Sequence, residues 1–323
     1  MKIAVIGGSG FIGTELTPLL QKMGHTVILG DIIPSDTYPE LSVNADLTDP
    51  VSLEDACRGC DLIINLAAVH RDDVRPLSLY DDVNVKGSDN LCQVADKLGI
   101  KRIIFTSSVA VYGFQKGMPN ESNPHLPFNP YGRTKSEAED VYRAWEAHDP
   151  ATKGLVIIRP TVVFGPGNRG NVYNLLRQIA SGAFVMIGDG QNRKSMAYVG
   201  NVAAFIAYSL KYETGVEVFN YVDKPDFTMN QLVSNVRRIM GKGDGVGLRL
   251  PYWFGILAGF GFDVLARLTG KTFPVSRIRI QKFCSNTVFD ASKVHEESGF
   301  SAPYDLEAAL LETMSREFGA KSE

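Results

Sequence analysis

Lys2-Ile3-Ala4-Val5-Ile6-Gly7-Gly8-Ser9-Gly10-Phe11-Ile12-Gly13 is the stretch on which the fold turns. A short apolar run reads as a buried strand, the glycines as a tight turn, and Phe11 to Met23 as a helix. At such a turn the missing side chains let the backbone approach a pyrophosphate, while the helix N-terminus offers unpaired N–H groups and a favourable dipole. Gly7, Gly10 and Gly13 are spaced three and three, not two and three. A glycine string alone says little; its place between a strand and a helix is what predicts a dinucleotide site.

Outward from this turn, apolar runs alternate with helical patterns. Thr26 to Gly30, Asp61 to Ala68, Arg102 to Ser107 and Leu155 to Arg159 read as strands, Leu79 to Leu98 and Tyr131 to His148 as helices. The alternation predicts the α/β class, a Rossmann-like parallel sheet flanked by helices, over residues 1–165. Past Thr161 the pattern loosens. Residues 166–323 are expected to form mainly a smaller C-terminal α/β substrate lobe, with segments of the later chain returning to the first domain.

Composition narrows the function. The 323 residues are 44% hydrophobic and 21% charged, ordinary for a globular enzyme, and a net charge of -3 argues against a nucleic-acid footprint. The N-terminal run lacks the apolar region and cleavage site of a secretory signal, so a cytoplasmic location is expected. Cys57, Cys60, Cys92 and Cys284 are too scattered for a disulfide framework, and the five histidines show no ligand spacing, so no metal is expected. The apolar run Tyr252 to Phe262 ends at Asp263, short of a bilayer span. It is open to a packed helix or lid, an oligomer contact or peripheral membrane contact.

Asp31 closes the second strand, where a carboxylate can accept both ribose hydroxyls of an adenosine and repels a 2′-phosphate, favouring NAD over NADP. Asp46 and Leu47 follow a third short strand and are candidates for the adenine edge. Asn129 and Pro130 read as the start of a helix that stacks Tyr131 and Lys135 one turn apart on one face. A nearby ammonium favours the phenolate, so the pair can move a proton as hydride moves. Ser108, at the end of the Arg102 to Ser107 strand, can hydrogen-bond the reacting oxygen; Thr106 and Ser107 could share that role.

These motifs, with Asn65-Leu66-Ala67-Ala68, Asn84-Val85-Lys86-Gly87, Ser107 to Gly113 and Arg159-Pro160, resemble the extended short-chain dehydrogenase/reductases. Within them the chain is similar to the NAD-dependent epimerase/dehydratase branch that acts on nucleotide sugars. The resemblance implies that Gly7, Gly10, Phe11 and Ile12 hold the pyrophosphate, Asp31 the ribose, and Asp46 and Leu47 the adenine. It implies that Leu66, Ala67, Ala68, Asn84 and Pro160 line the cofactor groove, with Tyr131 as acid/base, Lys135 also on the nicotinamide ribose and Ser108 on the sugar hydroxyl. Gly188 to Val199 resembles the sugar-nucleotide segment, with Lys194 where an Arg normally meets the diphosphate and Arg193 beside it. Asn171 is a positional candidate for a further diphosphate contact. A homodimer and a part in polysaccharide biosynthesis are implied in the same way.

One departure separates subfamilies. The sugar dehydratases carry an Asp-Glu pair where this chain has Val109-Ala110, and two aliphatic side chains transfer no proton. A nucleotide-sugar epimerase passing through a transient keto intermediate is therefore expected. The alternatives are an NAD(P)H-dependent keto-reductase of a nucleotide-sugar intermediate and a 3-beta-hydroxysteroid-dehydrogenase-like enzyme acting on an apolar alcohol.

Overall fold

The computed structural model describes residues 1–71, 73–269 and 277–320. In chain order it begins β1 (Lys2–Ile6), α1 (Phe11–Lys22), β2 (Thr26–Asp31), β3 (Ser42–Asn44), α2 (Pro50–Cys57), β4 (Leu62–Asn65), α3 (Ser78–Tyr80), α4 (Gly87–Leu98), β5 (Arg102–Thr106), α5 (Pro130–Ala147), β6 (Gly154–Pro160) and β7 (Val162–Phe164). It continues α6 (Asn171–Ser181), β8 (Met186–Ile187), β9 (Arg193–Tyr198), α7 (Val199–Tyr208), β10 (Gly215–Tyr221), β11 (Asp223–Thr228), α8 (Met229–Ile239), β12 (Arg249–Leu250), α9 (Tyr252–Thr269), α10 (Arg277–Cys284) and α11 (Leu306–Phe318).

The chain divides into two compact units. The first comprises Met1–Val163, Ala197–Val222 and Phe289–Tyr304; the second comprises Phe164–Met196, Asp223–Val288 and Asp305–Glu323. The first unit is built on a seven-stranded sheet in the order β10-β6-β5-β4-β1-β2-β3, with every pairing parallel. Strands buried on both faces need apolar residues at every position, and β1 supplies them: Ile3 and Val5 enter one core layer, Ala4 and Ile6 the other. The first layer includes Leu16 and Leu20 of α1 with Val202, Phe205 and Ile206 of α7; the second includes Leu53 of α2, Leu91 of α4 and Tyr142 of α5. Because β2 lies on one side of β1 and β4 on the other, the chain reverses direction across the sheet there, the crevice at which open α/β sheets hold ligands.

Two elements differ from the sequence expectation. The run from Asp61 stops being a strand at Asn65, because the Asn65 side-chain oxygen accepts the Ala67 amide at 3.0 Å and bends the chain. The helix expected over Leu79 to Leu98 is interrupted by a π-helical turn at Asp81–Lys86. Asn84 lies buried in that turn. The second unit pairs β9 with β11 antiparallel and β8 with β12 parallel, beside α6, α8, α9, α10 and α11.

Candidate active site

The glycine turn shows why no larger residue fits. Gly7 takes a φ of 77°, and a Cβ there would lie 2.6 Å from the Ala67 amide nitrogen; at Gly13 it would lie 2.2 Å from the Gly8 carbonyl oxygen. Gly10 caps α1 without a side chain, leaving the first amides of the helix, from Phe11 and Ile12 on, with no side-chain cap. Asp31 Oδ2 accepts the Ser9 amide at 3.1 Å, so the end of β2 is fastened to the turn. The Ser9 hydroxyl is buried with no hydrogen-bond partner, a polar group waiting in the cradle. Closed glycines, uncapped amides, a carboxylate at the strand end and an unpaired hydroxyl together fit the diphosphate and ribose of a dinucleotide.

The segment after β4, beside this turn, is held by a side-chain amide. Asn84 Oδ1 accepts the Val69 amide at 2.8 Å, and its Nδ2 donates to the Val69 carbonyl and to Thr134 Oγ1, each at 2.9 Å. Asn84 thereby ties the Leu66-Ala67-Ala68 segment to α5. Its place in a π turn explains the reach: the extra residue rotates the side chain off the regular helical stripe. Leu66 donates its amide to the Ile6 carbonyl at 2.8 Å, continuing the sheet spacing past the end of β4. Asp46 Oδ1 is occupied by the amide and hydroxyl of Thr48, each at 2.8 Å, and Leu47 is buried. Pro160 ends β6 opposite Tyr221.

At the carboxyl end of β5 and the N-terminal turn of α5 lie the candidate proton-transfer residues. Asn129 caps α5 through the Gly132 amide, with Pro130 at the first helical position, so the helix begins at a fixed point and Tyr131 and Lys135 fall on one face. The Tyr131 hydroxyl is hydrogen-bonded to Ser108; burial pushes its pKa up and that hydrogen bond pulls it back. Ser108 Oγ also accepts the Ala110 amide at 3.1 Å, which fixes its direction. Lys135 is 2% exposed. Its Nζ donates to the Thr106 carbonyl at 2.8 Å and lies 4.5 Å above the Phe105 ring. Burial lowers its pKa to about 7, against a smaller upward pull from Glu139.

The neighbouring hydroxyls are committed elsewhere. Thr106 Oγ1 donates to the Asn65 carbonyl at 3.0 Å, and Ser107 Oγ donates to Glu139 Oε1 at 2.5 Å. Glu139 is a residue that sequence reasoning passed over. It lies one turn beyond Lys135, fully buried, and receives Arg159 at both oxygens, 2.8 Å from Nε and 2.6 Å from Nη2. Arg159 also donates to the Tyr112 hydroxyl at 2.6 Å and meets His125 Nε2 at 2.7 Å. Arginine only donates, so His125 Nε2 accepts and the proton sits on Nδ1, beside Ser136 Oγ at 2.7 Å. The signal in the sequence was the i, i+4 spacing of Lys135 and Glu139; what it lacked was the partner, which comes from β6.

In the second unit, Asn171 is the exposed first residue of α6, and Arg193, at the start of β9, is exposed. Lys194 points its amine inward, donating to the carbonyls of Lys282 at 2.8 Å and Ser285 at 2.6 Å and to Thr287 Oγ1 at 3.1 Å; burial lowers its pKa to about 8. A cavity of about 830 Å³ in this unit is lined by Gly188, Asp189, Asn192, Arg249, Tyr252 and Cys284, among others. Among the described residues no cluster of His, Cys, Asp and Glu is gathered that could hold a metal, and no helix is long and apolar enough to cross a membrane. Cys57 ends α2 and Cys60 precedes β4, both as buried free thiols.

The family model described as NAD dependent epimerase/dehydratase family matches residues 3–221, which take in the glycine turn, Asp31, Ser108, Tyr131 and Lys135. The chain belongs to the NAD dependent epimerase/dehydratase family. Members of this epimerase/dehydratase family share NAD as cofactor, and NAD is the cofactor of this chain, in keeping with the cradle described above. The chain is 51% identical over 317 residues, 98% of its length and 95% of the relative's, to the N-acetyl-alpha-D-glucosaminyl-diphospho-ditrans,octacis-undecaprenol 4-epimerase of Escherichia coli O157:H7. It is 29% identical to the UDP-glucose 4-epimerase of Vibrio cholerae, over 96% of this chain and 94% of that one. Two solved structures share the family fold. The UDP-N-acetylglucosamine 4-epimerase of Bacillus cereus superposes with a TM-score of 0.78 at 20% identity, covering 100% of this chain and 98% of the other. MoeE5 in complex with UDP-glucose and NAD superposes with a TM-score of 0.76 at 24% identity, covering 98% of each.

Proposed function

We propose that this protein is an NAD-dependent 4-epimerase of an N-acetylhexosamine carried on a diphosphate, and that the far side of the diphosphate is a polyprenyl lipid. The observation that carries the reading is the 51% identity, over 98% of the chain, to an epimerase whose name specifies a lipid-linked sugar diphosphate. The site supports the same chemistry. Val109 and Ala110 stand where dehydration would need an acid and a base, and aliphatic side chains supply neither.

Bound NAD supplies the two-electron acceptor that takes hydride from the sugar carbon and returns it. Tyr131 removes the proton from the C4 hydroxyl and gives it back after the keto sugar has presented its other face. Ser108, bonded to Tyr131 and oriented by the Ala110 amide, holds the sugar oxygen and eases phenol ionisation. Lys135 is fixed by the Thr106 carbonyl, beside the Tyr131 turn of α5, where it can hold the nicotinamide ribose. Gly7, Gly10, Phe11, Ile12 and Asp31 bind the cofactor; Asn84 shapes the wall of its groove. Arg193 and Asn171, both exposed, are the proposed partners of the substrate diphosphate, and Lys194 shapes that segment from within. Buried reduced thiols support a cytoplasmic location. A homodimer belongs to the same reading.

Purified protein incubated with N-acetylglucosaminyl diphosphoundecaprenol dispersed in detergent should yield the N-acetylgalactosaminyl isomer without added NADH. UDP-N-acetylglucosamine in a parallel reaction should turn over far more slowly. Equal or preferred turnover of the nucleotide sugar removes the lipid-linked reading; net NADH consumption makes the protein a reductase; no isomer from either substrate ends the epimerase reading.

A further inference from the structure

α9 packs against its own unit through its smallest residues. A Cβ on Gly255 would lie 2.5 Å from Ile187 Cγ2, and one on Gly259 would lie 2.8 Å from the Arg277 amide nitrogen, so these glycines form the face that contacts β8 and α10. The large side chains are left outside. Trp253 is 62% exposed, Leu257 61% and Phe260 57%, with Phe254 and Leu265 also exposed. At 100° per residue these five side chains share one broad stripe of the helix. A surface helix in water ordinarily has the opposite arrangement, apolar bulk inward and polar residues outward. From Tyr252 to Phe262 there is no charged residue at all.

The sequence around this stripe is mostly basic, with Asp263 on α9 and the exposed Asp189 beside Arg249 as acidic neighbours. Between Arg249 and Cys284 the sequence holds six Lys or Arg against the single acidic Asp263, in a chain whose net charge is -3. Arg249, Arg277 and Lys282 of that set are exposed on β12 and α10. We propose that the exposed face of α9, with its basic flanks, docks this protein on an anionic lipid bilayer, lying in the interface without crossing it. Aromatic and leucine side chains enter the headgroup boundary, and Lys and Arg beside them meet anionic lipid. A second copy of the same face is a poorer partner, because two-fold pairing would bring the basic flanks of both copies together. Tyr252 opens α9 and also lines the cavity of the second unit, so the bilayer surface and that polar cavity are continuous along the chain. The inference deepens the lipid-linked reading above and rests on it for its purpose, though its physical basis is separate.

The test uses the full chain with vesicles of phosphatidylcholine and of phosphatidylcholine mixed with phosphatidylglycerol. The protein has two tryptophans, and Trp145 is buried, so a blue shift in emission reports Trp253. Flotation with the anionic vesicles and a blue shift are expected, with little binding to neutral ones and loss of binding at high salt. The triple variant Trp253→Ser, Leu257→Ser, Phe260→Ser should lower partitioning by about 10-fold or more, since three large apolar side chains are withdrawn from the lipid boundary. Arg277→Glu, which leaves the apolar face intact, should weaken binding to the anionic vesicles alone. No flotation of the wild type, equal binding to both vesicle types, undiminished binding of the triple variant, or conversion of a dimer to a monomer by that variant overturns the proposal. Assay on detergent-dispersed lipid-linked substrate separates the two ideas. Turnover there without vesicle binding sinks the docking surface alone, while vesicle binding without turnover leaves docking standing and removes the lipid-linked epimerase.

Discussion

Tyr131 and Lys135 are a single turn apart, yet their polar ends answer to different neighbours. The phenol is tuned by Ser108, and the amine is pinned to the Thr106 carbonyl over the Phe105 ring. Tyr131→Phe removes the proton acceptor of the proposed mechanism and leaves the glycine turn untouched. Epimerisation should fall by roughly 10²–10⁴-fold with NAD affinity within a few-fold of the wild type, measured by isomer formation and by NAD titration. Lys135 gives a test with a sign. Its folded pKa lies at about 7, below the ordinary lysine value of 10.5. Between these values the unfolded chain binds the proton and the nucleotide-free folded protein does not, so this residue's penalty on folding is greatest below pH 7 and shrinks as pH rises. Lys135→Met should therefore be more stable than the wild type by a margin that narrows by about 2 kcal/mol from pH 7 to pH 9, read by urea unfolding across that range.

Among the elements, the turn between β1 and α1 tolerates least. A methyl group at Gly13 would collide with the Gly8 carbonyl, which is backbone and cannot swing aside. Gly13→Ala should weaken NAD binding at least about 10-fold and cost roughly 1–3 kcal/mol, seen in NAD titration and in the unfolding midpoint. α5 shows the complementary case, an element whose one buried face carries two residues with separate duties. Lys135 and Glu139 both point into the sheet, but Glu139 is neutralised by Arg159 of β6 and holds Ser107, the residue before Ser108. A buried ion pair of this kind adds little net stability; it fixes the direction of the strand end that leads into Ser108.

For the whole molecule, the sheet is completed by a strand from late in the chain, β10. Residues Gly215 to Tyr221 pair with all of β6, and α7 covers α1's side of the sheet with Val202, Phe205 and Ile206. A fragment ending at Val163 loses both, leaving β6 as an open hydrophobic edge. It should fail to give a cooperative monomer, appearing as aggregate by size exclusion and without a sharp thermal transition, whereas the full chain unfolds cooperatively.

Strand-turn-helix order, the glycine turn between β1 and α1 and the Tyr131/Lys135 register were legible in the sequence because each is local. Glycine tolerance, a cap at Asn129 and a spacing of four residues fix geometry within a few bonds. The sequence did not reveal that Ser107 and Thr106 are engaged elsewhere, that Lys194 turns inward, or that Asn84 sits in a π turn clasping Val69 to Thr134. Those outcomes depend on partners from distant strands, which only packing brings together. The stretch from Tyr252 to Phe262 marks the boundary between the two kinds of information. Its composition announced an apolar helix, but which face would be buried followed from Gly255 and Gly259 fitting against Ile187 and Ile280, contacts set by the tertiary structure, and that choice left the aromatic side chains at the surface.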